Sequence, residues 1–356
     1  METQKKEDIE YQALTEKEKR NLTLLEIIRK RGPVTRSDLS KITGINNVSI
    51  SNYINSFIDK KLVLERKSDV SSGGRKPEQI ILNTDDNCVV GIAVGRGETS
   101  GTVVDIGLNV LKKLKAQPAD TAGFVEELIK KSSVPKDKMK AVGLAVADPD
   151  PSRIANDIKK RTGIETYAGN TPVCAALGES NMNRDADSET MLYVYSDLGY
   201  GVMIKEGAFF EKDTYLRPWP AHLGMAEMAK REVAKGAGTA IVDLAKGSMA
   251  NITGDTVIRA ALAKDEMALD IVRSTGLSLG VRVAYLVNLF NPRVIMIGGG
   301  IEKAGELILG PMTKAAKHFA LKTYCDKFRI IHCALGGDAA MLGAASLAVR
   351  EIFLKA

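Results

Sequence analysis

The sequence lacks long apolar runs and has few cysteines. No stretch of its 356 residues is apolar over enough length to span a bilayer, and the charged N-terminus has no signal-peptide core. We therefore expect neither membrane insertion nor secretion. The cysteines are scattered, without the spacing of a metal or redox site, which predicts buried thiols in a reduced cytoplasm and no metal. They are Cys88, Cys174, Cys325 and Cys333.

Acidic residues are scarce near the N-terminus. Residues 17–76 contain 14 Lys and Arg against 6 Asp and Glu, a net charge of +8, whereas the whole chain carries +6. The other residues therefore carry a net charge of 6 − 8 = −2. A basic segment on a near-neutral body predicts an electrostatic surface for nucleic acid, and a merely solvated basic face is the alternative.

The basic segment begins with the pattern of two helices. In NLTLLEIIRKRG, residues 21–32, apolar residues recur at helical spacing and the run ends at Gly-Pro. The stretch that follows starts a short helix, which Thr35 or Ser37 caps. Gly44 ends that helix with the residue that a tight corner between helices favours.

The third segment, NNVSISNYINSFIDKKLV, reads as a helix capped by Asn46. Ile50, Ile54, Phe57 and Ile58 recur on one face and are predicted to point inward. The opposite face carries small, uncharged and amide side chains, where an ordinary solvent face would carry Lys and Glu. Asn pairs with adenine edges, Ser with bases or phosphate, and Val with thymine methyl groups. We predict DNA contacts from Asn46, Asn47, Val48, Ser49, Ser51, Asn52 and Asn55.

Two short strands around a glycine-containing tip follow, in LVLERKSDVSSGGRKPEQIILN. This arrangement is typical of a wing, and we predict that Gly74, Arg75 and Lys76 reach a minor groove or phosphate, with Arg36 holding phosphate as well. Together, the three helices, the wing and the positive charge favour a winged helix-turn-helix head. A small helical domain used for protein contacts is the alternative.

After the head, VVGIAVGRGETSGTVVDIG, residues 89–107, reads as a strand–turn–strand with glycines at the turn. Such a turn lets backbone N–H groups approach a phosphate. Phosphate cradles of this kind normally open with an acidic residue that holds a metal or a water. Here that position is Ala93, which indicates that the cradle has lost its chemistry.

The head ending in SSGGRKPEQIILN and the stretches LVNLFNPRVIMIGGGIEKAGELILGP and LGGDAAMLGAASLA resemble the ROK family of repressors, open reading frames and kinases. The resemblance covers almost the whole chain. It implies an α/β protein with an N-terminal winged helix-turn-helix domain followed by a two-lobed actin-like domain. The implied divisions are an arm at 1–20, a head at 21–83, a first lobe at 84–187, a second lobe at 188–337, and a helix at 338–356 that returns to the first lobe.

The middle of the chain departs from the family's kinases at the residues that resemblance marks as catalytic. The kinases place an Asp after Asn as the general base, but Asn170 is followed here by Thr171, which has no useful basicity near neutral pH. A Glu and a His that grip the sugar are replaced by His222 and Met225. The cysteines of the family's zinc site are missing. With Ala93 in the cradle, we expect no kinase activity, no zinc and no cofactor.

Regulators of the family sense a sugar between the lobes, so the resemblance makes Asn170, Thr171 and His222 candidate ligand contacts. An altered small ligand and no ligand at all both remain open. We expect a cytoplasmic repressor of carbohydrate genes that forms a homodimer or a higher homo-oligomer and binds a double-stranded operator. The alternatives are a sugar kinase that phosphorylates a hexose with ATP, and an actin-like module whose head serves as a scaffold for partners.

Overall fold

The computed structural model describes the backbone of most of the chain. The described ranges are 14–67, 78–95, 97–118, 120–147, 150–182, 191–195, 200–205, 208–212 and 221–356, and side chains are not described at 200–205, 208–212 and 221–223. The helices are α1 (Glu16–Arg31), α2 (Arg36–Thr43), α3 (Asn47–Asp59), α4 (Thr121–Ser132), α5 (Pro151–Thr162), α6 (Thr171–Met182), α7 (Ala221–Ala234), α8 (Ala240–Leu244), α9 (Gly254–Leu262), α10 (Glu266–Phe290), α11 (Glu306–Phe319) and α12 (Ala339–Leu354). The strands are β1 (Val63–Lys67), β2 (Glu78–Leu82), β3 (Cys88–Val94), β4 (Thr99–Asp105), β5 (Val110–Ala116), β6 (Met139–Val146), β7 (Thr166–Asn170), β8 (Met191–Tyr195), β9 (Tyr200–Lys205), β10 (Ala208–Lys212), β11 (Val294–Gly298) and β12 (Arg329–His332).

The first unit, called the head here, consists of α1, α2, α3 and the antiparallel pair β1–β2. The first helix begins at Glu16, because Thr15 and Glu18 form a capping box. The last five residues of the segment predicted as an arm, 16–20, are therefore helical. Of the two candidate caps for α2, Thr35 is the one used, with Asp38 as its partner, and Gly44 ends the helix in the left-handed conformation.

The first lobe contains a sheet in the order β5-β4-β3-β6-β7, in which β3, β6 and β7 are parallel and β4 and β5 are antiparallel. The turn between β4 and β5 is held by Asp105. Its Oδ1 accepts hydrogen bonds from the backbone N–H groups of Gly107 and Asn109, at 2.8 and 3.0 Å. The strand–turn–strand of the expected cradle is thus the β3–β4 pair at the centre of this lobe.

The second lobe repeats the same sheet plan. Its order is β10-β9-β8-β11-β12, with β8, β11 and β12 parallel and β9 and β10 antiparallel. The helices α7 to α10 are inserted between β10 and β11. The glycines at 298–300 end β11, and Gly299 and Gly300 have positive φ values of 83° and 102°. The run is therefore a strand-to-helix turn.

Close backbone packing brings the last helix, α12, back onto the first lobe. Gly91 on β3 and Gly143 on β6 are register partners, and a Cβ at either would overlap a carbonyl oxygen of α12. Gly343 on α12 likewise lies against the carbonyl of Cys174 on α6. A Cβ at Gly178 on α6 would lie 2.6 Å from the carbonyl oxygen of Ala339. Side chains larger than hydrogen would separate these elements.

The C-terminal end of α12 contacts the head. The buried side chain of Asn21 on α1 donates through Nδ2 to the carbonyl oxygens of Leu354 and Ala356, at 3.2 and 2.6 Å. Lys60, at the end of α3, donates to the carbonyl of Lys355 at 3.0 Å. One apolar cluster also joins Leu24, Leu25 and Ile28 of α1 to Val349 and Phe353 of α12. The head is therefore packed on the end of the helix that runs through the first lobe.

Replacement of Gly343 by Ala tests the close packing of α6 and α12. The added methyl group overlaps the Cys174 carbonyl, so we expect the free energy of unfolding to fall by about 3 kcal/mol, since overpacked cores force backbone shifts. Gly310→Ala on α11 is the control, because a Cβ there meets nothing within 4 Å. It should change stability by less than about 1 kcal/mol. Equal effects of the two substitutions in urea unfolding would contradict this packing.

Candidate nucleic-acid interface and interlobe site

The third helix of the head, α3, has the two faces expected from the sequence. Its cap is Asn46, whose Oδ1 accepts a hydrogen bond from the Ser49 backbone at 2.9 Å. Ile50, Ile54 and Phe57 are fully buried, and Ile58 is partly buried. Burial of this face against α2 and β1 turns the opposite face of α3 outward.

The outward face consists of small uncharged side chains. Val48 is 73% exposed, and Asn47, Asn52 and Asn55 are exposed as well. Ser51 is half-buried among them. An α-helix fits the major groove of DNA, where amides and hydroxyls read base edges and a methyl group contacts thymine. Asn46 and Ser49 stand at the start of the same helix, where the Asn46 oxygen is engaged in the cap.

Arg36, at the start of α2, occupies a position that the sequence did not reveal. Its Nη1 pairs with Glu65 on β1 and lies 3.7 Å from Oε2 of Glu78 on β2. Its Nη2 donates to Oδ1 of Asn55 on α3 at 3.2 Å. The side chain that we expected to hold phosphate is thus bound to two carboxylates and an amide within the head. The two glutamates were missed because nothing in their local sequence marks them as its partners.

The remaining predicted DNA contacts belong to the wing. Its two strands, β1 and β2, are present with the expected antiparallel pairing. Gly74, Arg75 and Lys76 lie in the tip between them, outside the described residues. Their contact with DNA stays a prediction.

The candidate ligand residues of the first lobe lie at one edge of its sheet. Ala93 on β3 pairs with Ala145 on β6, and Val146 on β6 pairs with Asn170 on β7, so the carboxyl ends of three parallel strands meet there. Thr171 follows directly as the first residue of α6. Its hydroxyl is buried and has no hydrogen-bond partner among the described residues. The absence of an acid at Ala93 leaves this edge without a carboxylate at the position where the cradle opens.

The other two replaced positions lie on α7 in the second lobe. Met225, at the place of the sugar-gripping His, is fully buried in the apolar core of that lobe. It is therefore a packing residue. His222 lies in the first turn of α7, where side chains are not described, so its part in a ligand site stays a prediction.

A buried carboxylate joins α6 to the segment that leads into α12. Glu179 is inaccessible to solvent, and its two oxygens accept hydrogen bonds from the backbone N–H groups of Ala334 and Leu335 at 3.0 and 2.7 Å. These residues connect β12 of the second lobe to α12. Glu179 therefore ties the interlobe connection to the first lobe, a role that its place in the run ALGE did not indicate.

Tyr193 on β8 belongs to an apolar cluster that contains residues of both lobes. It is completely buried, packs in one apolar cluster with Cys174 of α6 and Cys333, and its hydroxyl contacts the position that a Cβ of Gly298 would take. Burial raises the pKa of the Tyr193 phenol well above its usual value and that of the Cys333 thiol to about 12. Both groups are neutral at physiological pH. The Tyr193 hydroxyl, like that of Thr171, has no hydrogen-bond partner in the part of the chain that the structure describes.

Two general properties of the described residues bear on function. None of their helices is both long and apolar enough to cross a membrane. Across the same residues, no three His, Cys, Asp or Glu side chains are grouped so that they could hold a metal ion.

A ROK family model matches residues 234–351. The chain contains a ROK family domain. The xylose repressor of Bacillus subtilis strain 168 is 20% identical over 379 residues, which cover 96% of this chain and 97% of that protein. The similarity therefore extends through the head as well as the lobes.

Solved structures of ROK proteins share the fold. A ROK family transcriptional regulator, described as a homologue of the Escherichia coli MLC protein, superposes with a TM-score of 0.76 at 19% identity, over 95% of this chain and 96% of that chain. A ROK family glucokinase from Streptomyces griseus, in complex with glucose and AMPPNP, has a TM-score of 0.61 at 22% identity, over 74% of this chain and 99% of that one. The expected fold class, an N-terminal head followed by a two-lobed actin-like domain, is confirmed.

Proposed function

We propose that this ROK protein is a sequence-specific DNA-binding repressor of carbohydrate genes and acts in the cytoplasm. The observation that carries the proposal is the exposed face of α3, where Asn47, Val48, Asn52 and Asn55 stand outward without a charged side chain among them. Base edges in the major groove are the partners that suit such a face. The net charge of +8 in residues 17–76 supports it, because phosphate contacts supply most of the affinity of DNA-binding proteins.

We infer that the effector is a small sugar or sugar derivative held between the lobes. The hydroxyl of Thr171, at the sheet edge, is buried without a hydrogen-bond partner among the described residues, and such groups normally have one. A polyhydroxylated ligand supplies donors and acceptors of the right kind. Asn170 and His222 are the further candidates for contact, one on each lobe.

A direct path connects this region to the head. Glu179 on α6 holds the backbone at Ala334 and Leu335, just before α12, and α12 ends at the carbonyls that Asn21 of α1 binds. The far end of α6 also touches α1, where Arg29 donates to Asn181 at 3.2 Å. A ligand that favours one arrangement of the lobes therefore shifts α6 and α12 beneath the head. The change in the free energy of DNA binding cannot exceed the difference in the ligand's binding free energy between the two arrangements.

We propose further that the protein is a homodimer formed through α10. Leu277, Tyr285 and Leu289 are exposed on this helix, and they are eight and four residues apart. Tyr285 is 62% exposed and Leu289 is 64% exposed. Phe319 and Leu321 lie beside them, because Asn288 bonds the backbone of both. Exposed apolar patches mark interaction surfaces. A second copy is the occupant, since a two-fold interface is self-complementary and presents two heads to paired half-sites.

A sugar kinase is the second candidate, favoured by the shared fold of the two lobes. The residues at the sheet edge argue against it. Phosphoryl transfer to a sugar needs a base for its hydroxyl and a carboxylate near the phosphates, and Thr171 and Ala93 provide neither.

Operator selection tests the repressor proposal. Purified protein should enrich a palindromic sequence from genomic fragments. Asn52→Ala should lower discrimination at one position of each half-site by about 1–3 kcal/mol, because one base-edge contact is lost. Thr23→Ala is the control: this exposed residue of α1 bonds only its own helix, so the selected sequence should not change. Binding without sequence preference, at all salt concentrations, would contradict the proposal.

Kinase activity is expected to be absent. A coupled assay with ATP, magnesium and a panel of hexoses, acylamino-hexoses and pentoses should show no turnover above that of buffer. Loss of the general base alone lowers the rate by about 10²–10⁴-fold. Any turnover should be repeated with Thr171→Val, which removes the hydroxyl but keeps the shape. Turnover that this variant abolishes would identify the chain as a kinase after all.

The dimer surface is tested by Tyr285→Lys. A buried, unpaired ammonium at the centre of the interface should convert the dimer to a monomer in sedimentation equilibrium at micromolar concentration. Leu262→Lys serves as the control, because Leu262 is also an exposed apolar residue but lies on α9 rather than on α10. Dissociation of both variants, or of neither, would place the interface elsewhere.

A further inference from the structure

The network around Arg36 joins α2 and α3 to both strands of the head. The guanidinium is on α2, its two carboxylate partners are on β1 and β2, and its amide partner is on α3. Glu65 is the register partner of Ile80, two residues from Glu78, so the carboxylates are diagonal neighbours on one face of the two-stranded ribbon. The side chain of Arg36 is 25% exposed.

This environment does not suit a phosphate contact. A phosphate that approached Arg36 would meet the charges of Glu65 and Glu78 and would have to displace both. Nη1 of Arg36 is already engaged by the carboxylates and Nη2 by the Asn55 amide, and these are donors that a phosphate would need. The position of Arg36 therefore favours a role in which it stays bound within the head.

The same contact decides which way the amide of Asn55 faces. A guanidinium only donates hydrogen bonds, so the group turned toward it must be the carbonyl oxygen of Asn55. The reverse orientation would place an NH₂ group against a cation. The Nδ2 group of Asn55 is consequently left on the other side of the amide, and within the described part of the head it has no partner.

We propose that Arg36 is a positioning residue that locks the Asn55 amide so that its Nδ2 donates to a base edge in the major groove. This inference rests on the proposed DNA-binding function. A fixed donor requires an acceptor on the base, and guanine, adenine and thymine each present one in the major groove, whereas cytosine presents only its amino donor. The head therefore rejects cytosine at the position that Asn55 contacts. An unlocked amide would turn its oxygen to cytosine and accept it.

The test measures the affinity of the selected operator carrying each of the four bases at one position. That position is the one where Asn55→Ala abolishes base discrimination. The wild-type protein should bind the cytosine operator on the order of 10-fold or more weakly than the others. Arg36→Met keeps the length of the side chain and removes its donors. It should reduce the cytosine penalty at this position and leave discrimination at the Asn52 position and the salt dependence unchanged.

Two further variants make the result specific. Lys41→Met removes one positive charge from the exposed end of α2 and should leave the cytosine penalty intact. Asn55→Asp should reverse the preference: one carboxylate oxygen pairs with Arg36, and the other accepts from the cytosine amino group. Retained discrimination at the Asn52 position shows that the head of each variant is folded.

Three outcomes overturn the inference. In the first, Arg36→Met weakens binding to all four operators equally and lowers the salt slope by about one for each head, as the loss of a phosphate contact predicts. In the second, Asn55→Ala changes discrimination at no position. In the third, Asn55→Asp fails to favour cytosine. Failure of the wild-type protein to select any operator is a separate result, and it would refute the proposed function itself.

Discussion

The structure depends on the close approach of α6, α12 and the sheet of the first lobe. Glycines stand at each crossing: Gly91 and Gly143 on neighbouring strands, Gly178 on α6 and Gly343 on α12. Helix backbones meet there without intervening side chains, so α12 can cross the first lobe and end beneath the head. Packed cores adopt discrete arrangements rather than deforming continuously. A displacement of α6 is therefore transmitted to α12 instead of being absorbed at the contact.

That packing explains why the cradle persists although its acid is gone. Ala93 is in the apolar cluster that holds Cys174 and Ala175 of α6 together with Ala344 of α12. The strand–turn–strand is thus a structural wall of the cluster whether or not phosphate binds. A carboxylate at position 93 would be buried against this cluster and costly without a metal or other cation. An alanine at this position therefore avoids the cost of a buried charge in the core.

The sequence predicted the elements whose signals are local. Helix caps at Asn46 and Thr35, the left-handed Gly44 and the apolar face of α3 all depend on residues a few positions apart, and the structure confirms them. The two-lobed fold followed from the resemblance and not from periodicity. What the sequence could not provide was pairing over long separations. Glu179 binds backbone more than 150 residues away, and Asn21 binds the last residues of the chain.

Arg36 shows the same limit within a single small domain. In the sequence it is one of many basic residues, and a basic residue in a DNA-binding head is most simply read as a phosphate contact. The structure changes this interpretation, because β1 and β2 place Glu65 and Glu78 against the guanidinium of Arg36. The net charge of a segment measures its long-range attraction for DNA, but it does not say which cations remain available. In this head, a positive charge that is neutralised locally contributes little to attraction and gains a different use, since it fixes the orientation of a neighbouring amide. Specificity and affinity are thereby assigned to different side chains.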